Sequence, residues 1–266
     1  NENDRKNLVK RVSLFGGKAA PGYYIAKDII KLINNVANVI NNDQETNKYF
    51  KVIFLADYKV SLAQIIIPAA DLSHHISTAG TEASGTSNMK FAMTGSLIIG
   101  TKDGANIEIA DEIGKENIYF FGKDLKNVER IRKEQKEGKK HKINSRLMKI
   151  FEAIMHKKFG DNNCLNEYIC KIINGDDFYL ISADFDDYVN AQEMADNDYK
   201  DKKTWRIKTF QSLCRMGFFS TDRSIQNYAE NIWESEPMVY PKPVHDKTKR
   251  VISARNLKKV EQIEQK

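Results

Sequence analysis

A short apolar run, Val12-Ser13-Leu14-Phe15, stops at the glycine pair Gly16-Gly17, and beyond it the apolar spacing changes period. Ile25, Ile29, Ile30, Ile33, Val36 and Ala37 recur at helical spacing, which predicts a helix with one buried stripe. Pro21 lies near its start, where a missing N–H does no harm. Asn41-Asn42-Asp43 begin a turn, and Lys51 to Ala56 reads as a second strand, a continuous apolar run bounded by polar residues. Strand, glycine turn, helix, strand is the βαβ unit of a doubly wound parallel sheet, so the chain is an α/β protein of Rossmann-like type. Ligands of such sheets bind outside the carboxyl ends of the strands. Gly16-Gly17, Asp57-Tyr58-Lys59, the loop Gly80 to Ser87 and the loop Thr101 to Gly104 all fall at such ends.

The alternation continues with strand patterns at Ser96 to Ile99 and at Ile118 to Phe121, the latter closed by Gly122. Beyond Gly122 the pattern turns helical. Leu147, Ile150, Phe151 and Ile154 form one stripe, and Leu165, Ile169, Ile172 and Ile173 another. Phe178 to Ile181 fits either an extended segment or a turn. Tyr188 to Met194, Thr204 to Met216 and Ser224 to Trp233 read as helices, with Thr221 or Asp222 as a cap for the last. Pro237, Pro241 and Pro243 then end regular structure, which predicts a lobe over 1–237 and a basic tail over 238–266 with a short helical pattern near Val260 and Ile263.

Bulk properties narrow the function classes. The 266 residues are 41% hydrophobic, enough for a sizeable core, and no apolar run approaches the length of a membrane span. The start of the chain is polar and charged and has no signal-peptide pattern. Cys164, Cys170 and Cys214 are scattered without a disulfide or metal framework, which fits free thiols in a reducing, cytoplasmic setting. The net charge of +6 is concentrated between Lys123 and Lys142, but acids alternate with the bases there and no aromatic interleaves them, as a solvated helix has and a nucleic-acid surface does not. His74-His75 has no partner at metal spacing, and Ser84 is not in a G-x-S-x-G elbow. Gly16-Gly17-Lys18 lacks both the earlier glycine and the following Ser/Thr of a phosphate-binding P-loop, and Gly16-Gly17 lacks the third glycine of a dinucleotide fingerprint.

The stretch with the most chemistry is Thr78 to Glu108. Gly80 and Gly85 permit backbone conformations in which main-chain N–H groups converge, and Thr81, Ser84, Thr86 and Ser87 add hydroxyls. The helix-forming run Asn88 to Met93 follows, with Lys90 one turn inside it among Met89, Phe91 and Met93. A hydroxyl-rich loop opening a helix suits an anion. A lysine in apolar company is expected to be partly desolvated, which lowers an amine's pKa and favours imine chemistry. Anion site and amine together point to an aldehyde that carries a phosphate. The same composition also fits an ordinary loop with a solvated lysine.

The run Glu82-Ala83-Ser84-Gly85-Thr86-Ser87-Asn88-Met89-Lys90 resembles the pyridoxal-phosphate attachment segment of the α-glucan phosphorylases, the glycogen, starch and maltodextrin enzymes. So do Gly16-Gly17-Lys18-Ala19-Ala20-Pro21-Gly22-Tyr23, Val52 to Leu55 with Tyr58 and Val60 to Ala63, Ile67 to Ser73, and Gly104 to Glu108. The resemblance reaches to about Pro237 and is weakest between Lys123 and Asn163. Thr94 stands where the family usually has asparagine, and Lys59 replaces a usual arginine. The resemblance implies a two-lobed glycosyltransferase of GT-B type with the active site between the lobes, present here as its C-terminal lobe and incomplete at its N-terminal side. It implies cleavage of the terminal α-1,4 bond of a glucan by inorganic phosphate, releasing glucose 1-phosphate. It implies pyridoxal 5′-phosphate held as an imine on Lys90, with Tyr58, Lys59, Gly85, Thr86 and Ser87 around the cofactor and Glu82, Ser84 and Gly85 on the sugar hydroxyls. Lys90 and Glu82 are then the catalytic pair of positions, Lys18 is a further candidate, and a Glu82 carboxylate buried in the cleft would need the sugar's hydroxyls as partners. A homodimer is implied for the full-length enzyme.

A phosphorylase is a much longer chain, and the opposite lobe and the basic segment expected before Asn1 are not in this sequence. The expectation is therefore a fragment that is inactive alone, because half a cleft neither excludes water nor orients phosphate against sugar. Two other classes remain open: a sugar-nucleotide-dependent glycosyltransferase lobe without pyridoxal, and a non-catalytic binding remnant.

Overall fold

The computed structural model describes residues 7–236, and the chain divides into two compact units, Asn1–Phe219 and Ser220–Lys266. The expected lobe boundary at Pro237, the basic tail and its helical pattern lie outside the described residues.

The first unit opens with the expected βαβ. Strand β1 (Arg11–Gly16), helix α1 (Tyr24–Asn42) and strand β2 (Phe50–Leu55) follow in order, and β1 pairs with β2 in parallel, from Arg11 opposite Phe50 to Gly16 opposite Leu55. Pro21 lies in the turn before α1, whose N-cap is Tyr23. The Asn41 amide bonds both backbone groups of Val52, donating to its carbonyl at 2.7 Å and accepting from its N–H at 3.1 Å, which ties the end of the helix to β2. The predicted stripe of α1 is real but half-buried at best: none of its residues is buried, and Ile29 is 45% exposed. Two strands are too narrow a platform to cover a 19-residue helix.

The second sheet carries the core. Helix α2 (Val60–Ala69), strand β3 (Leu72–His75), helix α3 (Ser87–Met93), strand β4 (Leu97–Thr101), helix α4 (Ala105–Ile113) and strand β5 (Ile118–Phe121) alternate, and the strands lie parallel in the order β3-β4-β5. All five residues of β4 are buried. Successive side chains of a strand point to opposite faces. Ile98 accordingly packs with Ala92, Ile109 and Ile113 from α3 and α4, while Leu97 and Ile99 pack with Tyr119 and Phe121 and with residues of two later helices. Those helices are α8 (Ile181–Lys200), which supplies Ala191 and Ala195, and α9 (Lys202–Arg215), which supplies Trp205. This sheet is thus covered on both faces, as the apolar run of β4 requires. Among the described residues the strands form two separate parallel sheets, of two and three strands, rather than the one continuous sheet expected.

Between β5 and α8 lie α5 (Leu125–Lys136), α6 (Ser145–Met155) and α7 (Asn166–Ile173). Asp124 and Asn144 cap the first two through their side chains. The two predicted stripes meet in one cluster, Leu147, Phe151 and Ile154 against Leu165, Ile169 and Ile172, with Ile150 left 44% exposed. Phe178 to Leu180 form a turn, and Ile181 opens α8. The buried Asp177 carboxylate accepts from the N–H groups of Ile181 and Ser182 and from the Ser182 hydroxyl, holding Leu180 in a left-handed conformation at the head of α8.

In the second unit, α10 (Thr221–Tyr228) runs into a π turn, Ala229–Trp233. Its cap is Ser220, whose hydroxyl accepts from the Arg223 N–H, and not Thr221 or Asp222. Among the described residues no helix is long and apolar enough to cross a membrane.

Candidate functional site at the carboxyl ends of the parallel strands

The carboxyl ends of β3 and β4 bring two loops together. From β3 the chain runs through Ser77 and Thr78 into the loop Gly80 to Thr86, which leads into α3. From β4 it runs through Asp103 and Gly104 into α4. The Thr101 hydroxyl donates to the Ser77 carbonyl at 2.6 Å, the Ala105 N–H donates to the Ser84 carbonyl at 2.8 Å, and one Asp103 carboxylate oxygen accepts from the N–H groups of Thr81 (3.2 Å) and Glu82 (2.8 Å). Gly104 permits the approach. Its φ is +50°, and a Cβ there would lie 2.4 Å from the Ser84 carbonyl oxygen. Beneath the loops, the buried Asn88 amide donates to Asn106 Oδ1 at 2.9 Å, and Asn106 donates to the Thr101 carbonyl at 3.1 Å, locking the first turns of α3 and α4 to the end of β4.

Glu82, Ser84, Gly85, Thr86, Ser87 and Lys90 therefore share one loop-and-helix segment at the predicted place. Gly85 has φ +89°, and a Cβ on it would crowd the Asn88 amide at 3.2 Å, so the close turn needs glycine. Thr86 and Ser87 are exposed at the head of α3. Glu82 is exposed rather than buried, and its carboxylate accepts from the Ser77 hydroxyl at 3.0 Å.

The expected desolvation of Lys90 is not met: the side chain is exposed. Helix α3 buries Asn88 and Ala92, four residues apart on one face. Lys90 is two residues from each, about 200° around the helix, and so lies on the opposite face. Among the described residues no carboxylate pairs with its amine, so the nitrogen is accessible to a carbonyl compound. Thr94, the departure from the family pattern, donates to the carbonyls of Phe91 (3.0 Å) and Lys90 (3.1 Å) and so closes the end of the helix.

Tyr58 and Lys59 belong to a separate group at the end of β2. The Tyr58 ring lies over Gly16, where a Cβ would stand only 2.8 Å from it. Asp57, with a left-handed φ of +48°, pairs with Lys59 at 2.8 Å and Lys18 at 3.6 Å, and the Lys59 bond first, then the Lys18 charge, hold its carboxyl below the usual range. Both basic candidates are thus already engaged. Sequence reasoning assigned no role to Asp57, Ser77 or Asp103. The acids were visible at strand ends, but nothing local tells which N–H or ammonium an acid will meet across the fold.

His74 and His75 end β3. His75 bonds the buried Ser73 hydroxyl (3.2 Å) and stands edge-on to Phe91, and burial pushes its pKa down to about 4. Cys164, Cys170 and Cys214 are free thiols.

An exposed primary amine, two exposed hydroxyls and a glycine turn within one short segment fit a small phosphorylated aldehyde, and the exposed Glu82 carboxylate fits a polyol. The fold is α/β with parallel strands, and these loops lie at the strands' carboxyl ends, where α/β sheets of this kind place their ligands. The family model of the carbohydrate phosphorylases matches residues 1–235, and the chain belongs to that family. It is 49% identical to glycogen phosphorylase 2 of Dictyostelium discoideum over 239 residues, covering 90% of this chain and 24% of that protein. It is 48% identical to the glycogen phosphorylase of Saccharomyces cerevisiae over 88% of this chain and 26% of that protein. It is 43% identical to the brain form of bovine glycogen phosphorylase over 89% of this chain and 28% of that protein. The chain spans about a quarter of the length of these curated relatives.

Proposed function

We propose that this chain is the cofactor-bearing part of an α-glucan phosphorylase, which splits terminal α-1,4 bonds with inorganic phosphate to give glucose 1-phosphate. The observation that carries this is the segment Glu82 to Lys90, held by Asp103 and Gly104 at the strand ends in a chain of this family. Lys90 Nζ would anchor pyridoxal phosphate, with the main chain at Gly85 and the hydroxyls of Thr86 and Ser87 toward its phosphate. When bound, that group supplies a phosphate able to donate or accept a proton beside the substrate phosphate. Glu82 accepts hydrogen bonds from glucosyl hydroxyls, with Ser84 and Gly85 beside it. Tyr58 and Lys59 enter the cofactor pocket only if Lys59 exchanges Asp57 for an anion, and Lys18 is held by the same carboxylate. The two parallel sheets then both belong to the doubly wound lobe of a GT-B enzyme, working against a partner lobe in a cytoplasmic homodimer.

The test is covalent. Borohydride reduction of the pyridoxal-loaded protein, followed by peptide mapping, should place the label on Lys90. Lys90→Ala should abolish both the label and the release of glucose 1-phosphate. A label on any other lysine refutes the assignment.

A further inference from the structure

We propose that Asp103 and Ser77 are positioning residues that fix Glu82 for sugar binding; this rests on the role given to Glu82 above. Glu82 lies on an exposed loop between two glycines of positive φ, Gly80 and Gly85, and no strand or helix contains it. Such a loop is mobile unless something holds it.

Two holds converge on this one residue. From β4, the half-buried Asp103 gathers two successive N–H groups, those of Thr81 and Glu82, onto a single carboxylate oxygen. Bonds from N–H groups to an ionised acceptor are the stronger kind. Asp103 stands two residues past Thr101, the end of the fully buried strand, so the loop is pinned to a rigid part of the sheet. From β3, the Ser77 hydroxyl donates to Glu82 Oε2 at 3.0 Å, and the Ser77 carbonyl is itself held by Thr101. The backbone of Glu82 is thus fixed from one strand end and its carboxylate from the next. Oε1 is left to accept from a sugar hydroxyl without the entropy of ordering a free side chain. Gly104 completes the brace by letting the two main chains touch at Ser84.

The experiment uses the full-length, pyridoxal-loaded phosphorylase that contains this chain. Asp103→Ala should lower kcat/KM for glucan phosphorolysis by about ten- to a hundredfold, the cost of a small misplacement of a binding group. Cofactor content should remain normal. Asp103→Asn, whose amide oxygen still accepts, should recover most of the loss, which a merely structural charge would not allow. Amide exchange at the Glu82 N–H should speed up in Asp103→Ala and stay slow in Ser77→Ala. Ser77→Ala should still lower kcat/KM, because the carboxylate alone is released. In a Glu82→Gln background, Asp103→Ala should cost little more, because both changes disable the same group.

Full additivity of the two changes overturns the proposal, as does unchanged exchange at Glu82 in Asp103→Ala. Should Asp103→Ala fail to fold, normal kcat/KM in Ser77→Ala overturns it equally. A defect in Glu82→Gln with none in Asp103→Ala or Ser77→Ala removes only the positioning roles. Normal kinetics in Glu82→Gln removes the role of Glu82 and the positioning roles with it.

Discussion

Gly104→Ala probes the brace between the two site loops. At φ +50° and ψ −144° the backbone occupies a region open essentially to glycine, and a side chain held there costs about 1–3 kcal/mol. The new Cβ would also stand 2.4 Å from the Ser84 carbonyl oxygen. Both partners are backbone, so no flexible side chain can swing aside, and the loops must separate. Separation breaks the 2.8 Å bond from the Ala105 N–H to that same oxygen, worth about 1 kcal/mol. The expected destabilisation is about 2–4 kcal/mol, or roughly 5–15 °C in Tm for a chain of this size. Gly17→Ala is the control, since a Cβ there meets nothing within 4 Å and its φ is not left-handed. That change should stay within about 0.5 kcal/mol. Urea and thermal unfolding of both variants beside the parent decide the matter. A Gly104→Ala protein as stable as Gly17→Ala would show that the loops do not touch as described.

Other outcomes follow from the core and from the histidine at the sheet end. Ile99 is fully buried at the centre of β4, and Ile99→Ala should cost about 2–5 kcal/mol in urea unfolding; a cost below about 1 kcal/mol would mean the second face of the sheet is not packed. Burial lowers the His75 pKa from its ordinary 6.5 to about 4. The unfolded chain therefore binds a proton in that window that the folded chain refuses, and this contribution to stability, intact above pH 6.5, is lost as pH falls toward 4. Carboxylates titrate nearby, so the measurement is a difference: Tm should fall further between pH 7 and pH 4.5 in the parent than in His75→Gln, and equal falls would refute the half-buried neutral imidazole.

The sequence alone determined the opening βαβ unit, strands β4 and β5 and most later helices, because a buried parallel strand must be a short apolar run and an amphipathic helix must repeat every 3.6 residues; strand β3 and helices α2 and α4 came only from the structure. The strand pattern at Ser96 to Ile99 and the stripes of α6 and α7 could be read that way. So could the segment from Glu82 to Lys90, whose glycine, hydroxyls and lysine lie close together in sequence and need no tertiary partner to be recognised. Tertiary structure decided what depends on rotation and on distant neighbours. Lys90 is exposed because burial of Asn88 and Ala92 turned it outward, although the residues beside it in sequence are apolar. The stripe of α1 is apolar yet half-exposed, because burial depends on how many strands lie beneath a helix and not on its own pattern. Asp57 and Asp103 are both acids just past a strand, but one pairs with two lysines and the other with two backbone N–H groups. Their roles are set by what the fold brings within about 3 Å, the range over which a hydrogen bond acts, and no local pattern encodes that.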